Sequence, residues 1–175
     1  MTALFFVIDT LLSLILFVFL LRLLLQWARA DFRNPLAQAV VRITNPIVMP
    51  LRRILPPIGK LDTASAIAVL VVATVAVGIS FAMREVFVPG PLTWLLAVAL
   101  KIAQTILSAY FFAILLYAVL GMIAPGGYSP VQSLLGSLCE PVLRPFRRFI
   151  PPIADIDFSP LWALIAIQAM QILLR

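Results

Sequence analysis

The sequence has no histidine, a single cysteine and few charges, Asp, Glu, Lys and Arg together making only 11% of its 175 residues. Without histidine, the commonest general base and the commonest metal ligand are both missing. The lone Cys139 makes neither an internal disulfide, a zinc site nor a redox pair, and it reads as a small apolar filler. No catalytic residue, metal ligand or cofactor is therefore assigned, and a non-enzymatic role is expected. The scarcity of charge excludes a whole class as well. A soluble domain needs roughly 25% charged residues to cover its core, whereas 63% of this chain is hydrophobic and its mean hydropathy is +1.13. That is the composition of a membrane protein.

Four apolar runs carry the composition. The first, from residue 3 to about 25, contains only Asp9 and Arg22; the second, 64–83, has no charge; the third, about 92–120, is interrupted by Lys101; the fourth spans 158–174. A bilayer core of ~30 Å needs about 20 helical residues, so the third run must tilt or project and the fourth is at the short limit. No basic segment precedes the first run, which is read as a retained helix rather than a cleaved signal. Arg22 is expected to snorkel at its inner end. Trp94 fits an interfacial anchor, and Thr74, Gly78 and Ala82 recur at the spacing that lets helices approach closely in lipid. Pro89-Gly90-Pro91 and Pro125-Gly126-Gly127 mark turns.

The net charge of +6 is distributed unevenly. The connection 28–62 holds Arg29, Arg33, Arg42, Arg52, Arg53 and Lys60, and the connection 124–158 holds Arg144, Arg147 and Arg148, against Arg84 and Arg175 elsewhere. By the positive-inside rule, both connections are expected to face the cytoplasm and both termini the opposite, outer side. Nucleic acid is a weak reading of this charge, because no aromatic residues interleave with the arginines on an exposed strand.

Those two connections match each other. At a constant offset of 95 positions, Pro35 meets Pro130, Pro46 meets Pro141, Pro50 meets Pro145, and Arg52-Arg53 meet Arg147-Arg148. Pro56-Pro57-Ile58 then meet Pro151-Pro152-Ile153, and Asp62 meets Asp157, with Asn45 opposite Glu140. Prolines, arginines and aspartates do not match through lipid-driven composition bias, so the chain reads as an internal duplication. Each copy crosses twice, so the copies share one orientation, which excludes inverted repeats of the alternating-access kind. The expected architecture is an all-α membrane protein of four transmembrane helices in two parallel-topology repeats, 1–90 and 91–175. Each repeat carries a proline-broken amphipathic interfacial segment on the cytoplasmic face, at 35–57 and 130–152.

The residues from Gln26 to Phe32, Asn34-Pro35, Asn45-Pro46 and the run from Pro50 to Pro56 resemble the first repeat of the YggT family of small bacterial inner-membrane proteins. The run from Glu140 to Pro151, closing with Asp155 to Pro160, resembles the second. The family motif has glycines after the proline pair; here Gly59 remains and Ala154 stands in the second copy. The resemblance implies a multi-pass membrane protein whose relatives are associated with osmotic-stress tolerance, with cell division and, in chloroplasts, with cytochrome assembly and nucleoid distribution.

Physically, Asn45 before Pro46 makes an N-cap and first-turn pair, so a short helix is expected to start there. Ile47, Leu51, Ile54 and Leu55 give it an apolar face, with Arg52 and Arg53 on another side. Val142, Phe146, Phe149 and Ile150 repeat that face beside Arg144, Arg147 and Arg148. Pro50 and Pro145 are expected to kink or delay each helix, and the pairs Pro56-Pro57 and Pro151-Pro152 to end it. Asp62 and Asp157 can cap the helices that follow. The arginines then serve either as topology signals or as a surface for anionic lipid headgroups and a protein partner. Inside the membrane, Asp9 and Lys101 are read first as separate interfacial groups, Asp9 reaching the outer interface and Lys101 snorkelling beside Trp94, and second as an ion pair that Gln104 can join; Gln168 and Gln171 can hydrogen-bond across helices. The leading expectation is an adaptor or assembly factor for envelope, division or osmotic stress. The competing one is a small channel or transporter, oligomeric, with Asp9, Lys101 and Gln104 lining a polar path.

Overall fold

A computed structural model describes residues 2–55, 62–83, 90–123, 129–149 and 157–174. Among these residues the chain is helical without a strand: α1 (Thr2–Trp27), α2 (Pro35–Ile54), α3 (Thr63–Met83), α4 (Pro91–Ile123), α5 (Pro130–Phe149) and α6 (Ser159–Leu173). The proline pairs Pro56-Pro57 and Pro151-Pro152, Ile150, and the turn residues Pro89 and Pro125-Gly126-Gly127 lie outside the described residues.

Three helices, α1, α3 and α4, are long and apolar enough to cross a membrane. With its 33 residues α4 is about 50 Å long, well beyond the ~30 Å hydrocarbon core. The fourth expected span is α6, whose 15 residues reach only about 22 Å. It starts late because Phe158 is its N-cap and Pro160 occupies the first turn, where a missing N–H costs nothing.

The chain packs as two compact units, each discontinuous in sequence. Unit 1 joins residues 1–23 with 40–106, and so holds most of α1 and α2, all of α3 and the first half of α4. Its core includes Leu16, Leu20, Val48, Ala64, Ala68, Ala73 and Ala76. Unit 2 joins residues 24–39 with 107–175, and buries Leu25, Ala37, Ile114, Leu134, Leu138, Leu143 and Ala163.

The amphipathic segments differ from the expectation of broken helices. Each is one continuous helix, with Pro46 and Pro50 inside α2 and Pro141 and Pro145 inside α5. The start is eleven positions earlier than Asn45-Pro46 suggests, at Asn34-Pro35. The Asn34 Oδ1 accepts the Leu36 N–H at 3.0 Å, and its Nδ2 donates to the Pro130 carbonyl at 2.6 Å. Asn45 is not a cap because its side chain has another partner, and because Ala37, Thr44 and Val48, on one helical face, are all fully buried. Breaking the helix at residue 45 would split that face. Pro46, Pro50, Pro141 and Pro145 all lie on the exposed side, away from the packed face that holds each helix in place.

Ile47 and Ile54, with Leu36 and Ile43, form an exposed apolar stripe on α2, while Thr44 and Val48 pack inward. On α5 Leu134, Leu138, Cys139 and Leu143 are buried and Phe149 is exposed. In α3 the buried stripe is Ala64, Ser65, Ala68, Val69, Ala73, Ala76 and Val77 rather than Thr74, Gly78 and Ala82. Gly78 instead receives an indole: a Cβ there would stand 3.2 Å from Trp94, which stacks on Phe81 at 5.8 Å.

Candidate functional site

Two ion pairs tie the amphipathic helices to the segments that follow them. In unit 1, Arg52 at the end of α2 grips Asp62, just before α3, through both carboxylate oxygens. Asp62 is 3% exposed, the Ser65 hydroxyl donates to it at 2.7 Å and the Ser65 backbone N–H donates to it as well, so the carboxylate caps α3 besides pairing with Arg52. Burial works against its charged form, but the hydrogen bonds from Arg52 and Ser65 and the arginine's charge outweigh it and hold the carboxyl below the usual range.

In unit 2, Arg147 makes the corresponding pair with Asp157 at 2.9 Å and a second with Glu140 at 2.7 Å. It also meets the Tyr117 hydroxyl. Burial disfavours its charge, yet the bonds to Tyr117 and Asp157 and the charges of Asp157 and Glu140 hold its pKa above the usual arginine value. Asp157 accepts the Ser159 N–H at 2.9 Å one residue outside the N-cap, so it closes a turn into α6 rather than capping it. Burial opposes its charge too, and hydrogen bonds from Ser159 and Arg147 lower its pKa nonetheless.

The basic surface is therefore divided. Arg52 and Arg147 are committed to carboxylates within the chain, whereas Arg53, Arg144 and Arg148 are exposed, with no hydrogen bond or ion pair among the described residues. On α2, Arg53 and Arg42 flank the exposed Leu36-Ile43-Ile47-Ile54 stripe. On α5, Arg144 and Arg148 are one turn apart.

Arg22 is the residue that sequence reasoning missed. It does not snorkel: it is 4% exposed, and its Nη1 donates to Thr44 Oγ1 at 2.7 Å and Asn45 Oδ1 at 3.0 Å. An arginine deep in an apolar run was the available signal, since such a charge requires partners. Cys139 is fully buried, and burial pushes its thiol up to about 12.

A third polar group lies inside the apolar helices of unit 1. Lys101 Nζ on α4 meets Asp9 Oδ1 on α1 at 3.4 Å and donates to Ser13 Oγ at 2.9 Å. Ser80 Oγ on α3 donates to the same Asp9 oxygen at 3.1 Å. Asp9 and Lys101 therefore stand side by side rather than reaching the outer interface separately, and Ser13 and Ser80 join them unforeseen. Gln104 lines the adjoining cavity of about 390 Å³ with Asp9, Ser80 and Lys101. Gln171 donates to Ser108 at 3.3 Å in unit 2, while Gln168 is exposed. No cluster of three or more metal-binding side chains occurs among the described residues.

Helices of this length and apolarity, with ion pairs at their ends and a polar cluster between them, are compatible with a multi-pass α-helical membrane protein. The chain belongs to the CCB3/YggT family, whose model matches residues 1–83 and 96–175. It is 37% identical to PA0392 of Pseudomonas aeruginosa across 98% of this chain and 88% of that protein. It is also 37% identical to YggT of Escherichia coli K12 over 92% of this chain and 83% of that one. A Vibrio alginolyticus protein encoded beside proC is 36% identical over 96% and 91%. All three are described as uncharacterised. No solved structure matches the chain.

Proposed function

We propose that this protein is a non-enzymatic adaptor or assembly factor of the bacterial inner membrane, holding two basic amphipathic helices on the cytoplasmic face for a protein partner and anionic lipid. The observation that carries this reading is the pair of clamps. Arg52 and Arg147 each reach an aspartate ten residues on, so α2 and α5 are fastened at their ends while Arg53, Arg144 and Arg148 stay outward. A mere topology signal requires positive charge but no such fastening.

The clamps also support the two-repeat reading with four crossings, boundaries near 1–90 and 91–175, and both termini in the periplasm. Position 22 and its counterpart 117 each contact the helix of their own copy, Arg22 through Thr44 and Asn45, Tyr117 through Arg147. In that reading α6 spans in a locally thinned bilayer.

Photocrosslinking in living cells tests the adaptor. A crosslinker at Arg53 or Arg148 is expected to give one discrete protein adduct that is absent from the lipid-facing Leu96 position, and to lose it when Arg144 and the remaining exposed arginine become Gln. Only lipid adducts at both sites would refute a protein partner. A second reading, a small oligomeric conduit, is favoured by the Asp9–Lys101 cluster, but the lysine's charge opposes cation passage. Ion flux in liposomes that is unchanged by Asp9→Asn with Lys101→Met would discard it.

A further inference from the structure

The hydrogen bonding around Asp9 and Lys101 is lopsided. Ser80 and Lys101 both reach Asp9 Oδ1, leaving Oδ2 without a partner among the described residues. Lys101 has three N–H donors and spends one on Ser13 at 2.9 Å and one on the long 3.4 Å contact with Asp9. A charge-assisted N–H to carboxylate bond is ordinarily about 2.7–2.9 Å, so the two groups are neighbours rather than a closed pair. Each retains unused capacity, and both line the same cavity of about 390 Å³. Their side chains are 35% and 22% exposed.

We propose that this cavity holds a zwitterionic amine–phosphate group, supplied by the membrane as the headgroup of phosphatidylethanolamine. A ligand of one sign gains on one wall and loses on the other, because Asp9 and Lys101 stand side by side. A group carrying a primary ammonium and a phosphate gains on both, the ammonium on Asp9 Oδ2 and the phosphate on Lys101. The volume is within the ~300–1,000 Å³ usual for small-ligand sites. Val77, Phe81, Ala97 and Leu100 supply the apolar part of the wall, suited to the glycerol and first methylenes of a lipid. Ser80 is three residues from the end of α3, Asp9 seven from the start of α1 and Lys101 ten from the start of α4, about 5, 10 and 15 Å along the helices. A headgroup, whose layer borders the ~30 Å hydrocarbon core, reaches this cluster by dipping inward from the helix ends. Choline headgroups should bind less well, since a quaternary ammonium has no N–H for Oδ2.

The test uses the full chain, stripped of lipid in an uncharged detergent and titrated with defined lipids under native mass spectrometry. One phosphatidylethanolamine per chain is expected, held about tenfold more tightly than phosphatidylcholine or phosphatidylglycerol, a difference of one charge-assisted hydrogen bond. Asp9→Asn and Lys101→Met should each abolish the preference; the lipid comparison on the unaltered chain stands even if a variant misfolds. Displacement by millimolar O-phosphoethanolamine supports headgroup recognition. Binding of that soluble compound without any of the lipid overturns the lipid as source. Equal retention of phosphatidylglycerol, or a preference that survives both substitutions, overturns the site.

Discussion

Asp62→Ala should cost far more stability than Asp157→Ala, although each removes the aspartate of an Arg-Asp clamp. Asp62 is almost wholly buried, and its loss strands the Ser65 hydroxyl, itself 1% exposed. A buried hydroxyl without its acceptor costs about 1–3 kcal/mol, and a lost N-cap about 1 kcal/mol. Arg52, 51% exposed along its side chain, can turn to water, so its share is at most about 1 kcal/mol. About 3 kcal/mol in all is expected, roughly a hundredfold in the unfolding equilibrium. Asp157 is more exposed, and after its removal Arg147 keeps Glu140 at 2.7 Å, so about 1 kcal/mol is expected. Reversible unfolding in mixed micelles, with denaturing detergent as titrant, measures both. A pH series adds a second readout. Both carboxyls have lower pKa values folded than unfolded, so their stabilisation is complete above about pH 4 and fades as pH falls through the lowered folded value. The gap between unaltered protein and Asp62→Asn should close over that acidic range. Equal losses at the two aspartates, or a gap that persists at low pH, would refute the reasoning.

Two further outcomes follow from burial. Arg22→Met should change stability by less than about 1 kcal/mol, since an apolar isostere replaces a buried charge, whereas Thr44→Val with Asn45→Leu should cost about 2–3 kcal/mol by leaving the guanidinium unpartnered; the same unfolding assay decides, and the reverse order would mean that Arg22 is solvated. Cys139, with its thiol near 12, should form roughly a thousandfold less thiolate at neutral pH than an ordinary cysteine, so maleimide labelling should be slow until the protein is unfolded.

The all-helical class and the three long apolar helices were legible in the sequence, because length and composition are local signals; that Asp9 and Lys101 meet took the packing of α1 against α4 to decide. The segment bounds at 35 and 130 were legible too, but not where the helix of the first begins within its segment: Asn-Pro occurs at 34–35 and again at 45–46, and nothing local distinguishes them. What decides is that Thr44 and Val48 pack inward and Asn45 answers Arg22, twenty-three residues away. Likewise, the apolar spacing gave the face of Ile47 and Ile54 but not the second, buried face of Ala37, Thr44 and Val48, because that face mixes small, polar and apolar residues. The arginine surface was readable as a motif, yet its division into clamped and exposed members required the positions of Asp62, Glu140 and Asp157.

The prolines inside α2 and α5 determine how far these helices can sink. Pro46 and Pro50 take away the N–H groups that the carbonyls of Arg42 and Pro46 would have received, and Pro141 and Pro145 do the same to Ser137 and Pro141. In hydrocarbon each orphan carbonyl would cost several kcal/mol. On α2 they sit roughly a quarter-turn from the exposed stripe of Leu36, Ile43, Ile47 and Ile54. Laid on a bilayer as proposed, the helix would behave like a keeled float, rolling until the stripe is immersed and the carbonyls are awash, and stopping there. Replacing the prolines with alanine would remove the waterline without touching a single charged group.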